Sequence, residues 1–103
     1  MRIYIAGPYT MGDQAVNVKN AIDAAEVVAQ KGHTPFVPHL THFWHMLHPH
    51  EYQFWLKQDV IWMLLCNALL RLPGESPGGD TEERLARTAG LTIYHDVSEI
   101  PEI

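Results

Sequence analysis

The stretch ALLRLPGESPGGDTEERLARTAG, residues Ala68 to Gly90, reads as a strand, a loop and a helix in succession. Its apolar run Ala68–Leu72 predicts a buried strand. Pro73-Gly74 breaks that run, and a loop rich in Gly, Ser and Pro follows. Asp80 is placed to open a helix as its N-cap, with Glu83 completing a capping-box pattern. Gly90 is placed to close the helix in a left-handed conformation. Leu85, Ala86 and Ala89 form the apolar stripe of this helix, Glu82 falls on the same stripe, and Arg84 and Arg87 face away. A carboxylate on the inward side of a helix's first turn is pulled two ways. Burial raises its pKa, while free N–H groups and the helix dipole lower it. The expectation is an ionised carboxylate in a partly dry place, as a carboxylate nucleophile requires. The alternative is an ordinary acidic residue in a helix first turn.

Outward from this unit, the chain alternates strand and helix. Ile3–Ala6 reads as a first strand ending at Gly7-Pro8, and a loop from Gly7 to Gly12 leads to Asp13, a second N-cap candidate. Val18, Ala21, Ile22, Ala25, Val28 and Ala29 recur at helical spacing until Gly32. Pro35–Val37 reads as a short strand whose prolines suit a sheet edge. A helix from about Glu51 to Cys66 is apolar on nearly all sides, which predicts burial between neighbours. Leu91–Tyr94 is the last strand, and the tail from Asp96 carries no clear pattern. This order predicts an α/β fold: one domain over residues 1–103, a Rossmann- or flavodoxin-like three-layer sandwich with a four- to five-stranded, mainly parallel sheet. Sites in such sheets lie beyond the carboxyl ends of the strands, near a switch in strand order. Here those ends are Gly7-Pro8, Pro38-His39 and Pro73-Gly74.

Composition narrows the function. With 47% apolar residues the chain is expected to pack a core. A net charge of −5 and no basic patch argue against a nucleic-acid polymer as partner. Cys66 is the only cysteine, so no internal disulfide forms, and its apolar surroundings predict a core residue of a cytoplasmic protein. The run Val60–Leu65 is too short to span a bilayer, so no membrane is expected.

Three short motifs carry a resemblance: IYIAGP at residues 3–8, Gln58-Asp59, and SPGGDTE at residues 76–82, with Gly90 eight positions beyond Glu82. In this order and spacing the sequence resembles the nucleoside 2-deoxyribosyltransferase superfamily, including the 2'-deoxynucleoside 5'-phosphate N-hydrolases. The match runs from Arg2 to Tyr94 and is loose over residues 39–54. The resemblance implies a retaining N-glycosidic reaction without cofactor or metal, in which Glu82 attacks C1' of a deoxyribosyl group. It also implies that Asp59 contacts the sugar or assists the leaving base and that Tyr4 holds the nucleophile. Ser76 and Gly78 stand where phosphate-binding relatives offer a hydroxyl and an N–H group to a 5'-phosphate, ahead of a helix N-terminus. By the same resemblance the Gly7-Pro8-Tyr9 loop lines the substrate, and a homodimer or higher homo-oligomer is expected. Departures from the family pattern are Pro8 in place of Ser, Arg84 in place of Gly, Asn67 in place of Asp, and no arginine in the loop after Pro8.

The bland readings of these residues are a core aromatic for Tyr4, a helix-surface carboxylate for Asp59 and an ordinary turn for Ser76–Gly78. His39, His42, His45 and His48 recur every third residue, with His50 just beyond. That spacing drifts by about 60° per step around an α-helix, so four imidazoles would not converge on one ion. A substrate-lining or subunit-contact segment is the better expectation, with His39, His42 and Trp44, together with Phe43 and Trp55, as flat walls for a nucleobase. A metal site and plain packing are the two other readings.

Overall fold

The computed structural model describes residues 1–103. Its strands are β1 (Arg2–Ala6), β2 (Thr34–Phe36), β3 (Ala68–Arg71) and β4 (Thr92–Tyr94), and its helices are α1 (Gln14–Gln30), α2 (His42–Leu47), α3 (Tyr52–Met63) and α4 (Pro77–Thr88). One 3-10 turn, Pro38–Thr41, precedes α2, and another, Val97–Glu99, follows β4. All strand pairs are parallel, in the order β2-β1-β3-β4. This is the doubly wound α/β architecture expected from the alternating pattern, with Pro35 on an edge strand.

Strand register sorts the side chains into two layers. Tyr4 pairs with Phe36 and Leu69, and Leu69 pairs with Ile93, so one row crosses the whole sheet. This row packs with Met63 of α3 and Ala86 of α4. The alternate positions Ile3, Ile5, Ala68 and Leu70 face the other way, against Ala21, Ala24, Ala25 and Val28 of α1. Ile100, in the tail that showed no pattern, seals this second layer. The turn before it is fixed by a capping box of Asp96 and Glu99.

Helix ends follow local chemistry. Asp13 caps α1, its carboxylate accepting from the N–H groups of Ala15 (2.9 Å) and Val16 (3.2 Å). The start of α4 differs from the sequence expectation: Ser76, not Asp80, is the N-cap. Its hydroxyl accepts from Gly79 N–H at 3.0 Å, and Pro77 occupies the first helical position, where no N–H is needed. Gly78 and Gly79 therefore belong to the helix, and Glu82 lies in its second turn rather than its first. Glu83 completes no capping box; it pairs instead with Arg87 at 2.9 Å. Gly90 does take the left-handed conformation, with φ +85°.

Two burial expectations are corrected. Leu85 and Ala89 are exposed, because α4 turns Gly79, Glu82 and Ala86 to the sheet. In α3 and the turn after it only Met63 is fully buried, and Ile61, Trp62, Leu64 and Leu65 stand largely in solvent. No second layer of this chain covers them. Cys66 is half-buried at the margin of the Tyr4 layer rather than inside it.

Candidate active site

The strand order reverses between β1 and β3, and a cavity of about 260 Å³ opens beyond their carboxyl ends. Its floor comes from Gly7 and from Ser76, Gly78, Gly79 and Glu82 of the α4 start. A helical stripe of α3 (Tyr52, Trp55, Leu56 and Asp59, spaced i, i+3, i+4, i+7) forms one wall. The opposite side is closed by Tyr9, Thr10 and Met11 and by the segment from Pro38 to His50.

Glu82 is 7% exposed, and the Tyr4 hydroxyl donates to its Oε2. Tyr4 itself lies wholly inside β1, stacked on Phe36 with ring centroids 5.8 Å apart. Tyr4 thus holds the carboxylate from behind while Glu82 faces the cavity. Burial pushes the Glu82 carboxyl up to about 7; the Tyr4 hydrogen bond and the Arg71 charge pull down against it, and Asp59 pushes further up. Loss of water likewise raises Asp59 to about 7. The helix dipole does not keep Glu82 fully ionised, because the free N–H groups lie one turn earlier. Both carboxyls are thus displaced upward toward neutrality, each chiefly by loss of water. Burial and the two negative neighbours hold the Tyr4 hydroxyl protonated and well above its ordinary value.

The histidine segment is divided by specific hydrogen bonds. His39 is buried and bonds the Pro8 carbonyl through Nε2 at 3.0 Å, and burial lowers its pKa. Trp55 Nε1 donates to His45 Nδ1 at 2.7 Å. Indole is a donor only, so His45 is the neutral tautomer with its proton on Nε2. His50 stacks on Phe54 with centroids 3.7 Å apart. His42 and Tyr9 share a 2.5 Å hydrogen bond, placing His42 behind Tyr9. No group of three or more His, Cys, Asp or Glu side chains converges as a metal-ligand set.

Of the residues singled out in the sequence, Glu82, Asp59, Gly7, Tyr9, His39, Ser76 and Gly78 line the cavity, as does Trp55. Tyr4 reaches it through Glu82. Pro8, His42 and Trp44 do not line it: Pro8 turns to the α1 side and Trp44 packs edge-on against Trp55. Tyr52, Leu56, Thr10, Met11, Thr41 and Gly79 line it unannounced. The α3 stripe was available as a signal, since 52, 55, 56 and 59 follow helical spacing. The loop residues carried none.

The fold is that of the 2-deoxyribosyltransferases. A 2-deoxyribosyltransferase from the psychrotolerant bacterium Bacillus psychrosaccharolyticus superposes with a TM-score of 0.63 at 20% identity, covering 90% of this chain and 69% of that one. A 2-desoxiribosyltransferase from Leishmania mexicana gives 0.62 at 18% identity, over 89% of this chain and 61% of that one. Residues 1–96 match the family described as Domain of unknown function (DUF7768), and the chain belongs to that family. No curated protein matches the sequence.

Proposed function

We propose that the chain is an N-glycosyl hydrolase or transferase that cleaves the base–deoxyribose bond of a deoxyribonucleoside or its 5'-monophosphate. The observation that carries this reading is Glu82: a buried carboxylate, held by Tyr4, facing a cavity that Asp59 shares. In the first step a Glu82 oxygen bonds to C1' as the C1'–N bond breaks, and protonated Asp59 delivers its proton to the departing base. In the second, Asp59 takes a proton from water, whose oxygen attacks C1' and expels Glu82. A second nucleobase attacking through a ring nitrogen would complete transfer instead. Trp55 offers a face for the base, and Gly78 N–H with the Ser76 hydroxyl proton remains available to a 5'-phosphate. The exposed apolar side chains of α2, α3 and the turn after it, Leu64 and Leu65 included, are the surface proposed for a second copy of this chain. No helix is long and apolar enough to cross a membrane.

Incubation with deoxyribonucleosides and their monophosphates, followed by chromatography for free base, tests the proposal. Base release is expected, and Glu82→Ala is expected to lower it by more than about a thousandfold. The rate is expected to peak near pH 7. Below it Glu82 loses its nucleophilic charge; above it Asp59 loses the proton it must donate. Tight binding of a monophosphate without release would instead identify a nucleotide-binding module. Release undiminished in Glu82→Ala would overturn the mechanism.

A further inference from the structure

We propose that Arg71 is a positioning residue for Glu82: its guanidinium, sealed beneath the first turn of α4, fixes the aim of that helix and supplies the counter-charge for the carboxylate. Arg71 ends β3, and its side chain is 10% exposed. Nη2 donates to the Gly74 carbonyl at 3.1 Å and to Asp80 Oδ1 at 3.0 Å, and Nε lies 3.9 Å from Glu83 Oε1. One planar group therefore ties the loop after β3 to the helix that carries Glu82.

The fit depends on a missing atom. A Cβ on Gly79 would lie 2.1 Å from Arg71 Nη1 and 2.8 Å from Cζ, so no side chain other than hydrogen is compatible with the guanidinium there. Nη1 has no hydrogen-bond partner and no access to solvent. It cannot touch a substrate, and its burial is costly. An apolar side chain would fill the same space without that cost, so packing alone does not account for an arginine.

What the charge reaches is Glu82, which follows Gly79 by three residues on the same buried face of α4 that the guanidinium packs against. The ionisable groups acting on that carboxyl or placed around it are Tyr4 from β1, Asp59 and Tyr52 from α3, Arg71 from β3, and, across the cavity, His39, His45 and His50; Arg71 is the one permanent cation. Asp80 and Glu83, on Glu82's own helix, pair with Arg71 from its outer side, where Asp80 is largely exposed and screened. Arg71 acts on the Glu82 carboxyl and not on Asp59, so it favours the ionised form at Glu82, the arrangement the glycosidic reaction needs. The kinetic part of this inference rests on the function proposed above; the electrostatic part does not.

The test follows the Glu82 carboxyl by carbon-13 NMR in substrate-free protein, assigned with Glu82→Gln, alongside the pH profile of base release. Arg71→Met keeps much of the stem and removes the charge, Arg71→Lys keeps the charge without the fork, and Gly79→Ala dislodges the guanidinium. Arg71→Met is expected to raise the Glu82 midpoint by about one pH unit. On the acidic side of the profile that lowers base release by about tenfold. Arg71→Lys should restore part of the midpoint but not the full rate, and Gly79→Ala should raise the midpoint in the same direction as Arg71→Met. If Arg71→Met does not fold, Arg71→Lys and Gly79→Ala decide. An unmoved midpoint in the folded variants overturns the proposal even if the wild type releases base. A raised midpoint in a protein that releases no base leaves it standing while the glycosidase reading fails.

Discussion

The two faces of the sheet solve different problems. On the α1 face, Ile3, Ile5, Ala68 and Leu70 meet three alanines and a valine of α1, and no acidic or basic side chain enters the cluster. Small helical residues let the backbones approach, and the apolar surface is closed by Ile100. On the α3/α4 face, Tyr4, Ala6, Leu69, Met63 and Ala86 form a smaller cluster beside two carboxyls with raised pKa values. Its aromatic row continues from Tyr4 through Phe36 to Trp62, which is half exposed. The first face holds the chain together; the second bears the energetic cost of keeping carboxyl groups dry.

Leu70→Ala, on the closed face, is expected to cost about 2–5 kcal/mol in denaturant unfolding, the usual range for a cavity in a tight core. A loss below about 1 kcal/mol would mean that this face is not the main source of stability.

Glu82→Gln should act in the opposite direction. Both carboxyls sit at about 7 in the folded protein against ordinary values of 4.5 for Glu82 and 3.8 for Asp59. The folded state therefore binds more protons than the unfolded one across that interval. Stability from this source is fully present below about pH 4 and is lost as pH rises through about 7. Removing the charge should gain about 3 kcal/mol at pH 8, or more than about 10 °C in Tm, and less than about 1 kcal/mol at pH 5. Equal gains at both pH values would show that burial of charge is not the cause.

The smallest change is expected on the outer side of the second face. Leu64→Gln and Leu65→Gln replace side chains that are 52% and 57% exposed, so monomer stability should stay within about 0.5 kcal/mol. Light scattering should nevertheless show a lower mass than the wild type, because these residues supply the surface proposed for a second copy. An unchanged mass would move the contact elsewhere.

Much of the fold was legible because it rests on short-range pattern. Asp13, Gly90 and the apolar runs of β1 and β3 mark their own boundaries. Ser76 is hidden as a cap because Pro-Gly-Gly looks like loop, although Pro suits the first helical position and Gly79 must stay bare under Arg71. The burial expected of α3 fails for a different reason. Apolar residues all round a helix give no preferred face, and only Asp59, aligned with Tyr52 and Trp55, marks the side turned to the cavity. At the site, helical spacing placed Glu82 inward, while Tyr4 and Asp59 entered as partners only through the family resemblance. The links from Tyr9 to His42 and from Trp55 to His45 join residues 33 and 10 positions apart, and no local pattern encodes them.

The rims of the sheet set how this molecule meets its neighbours. Both outermost strands, β2 and β4, are three residues long, and one of them contains Pro35, which has no hydrogen to offer. Such margins are poor templates for a stranger's strand. Edge-to-edge pairing between copies is disfavoured at these short margins.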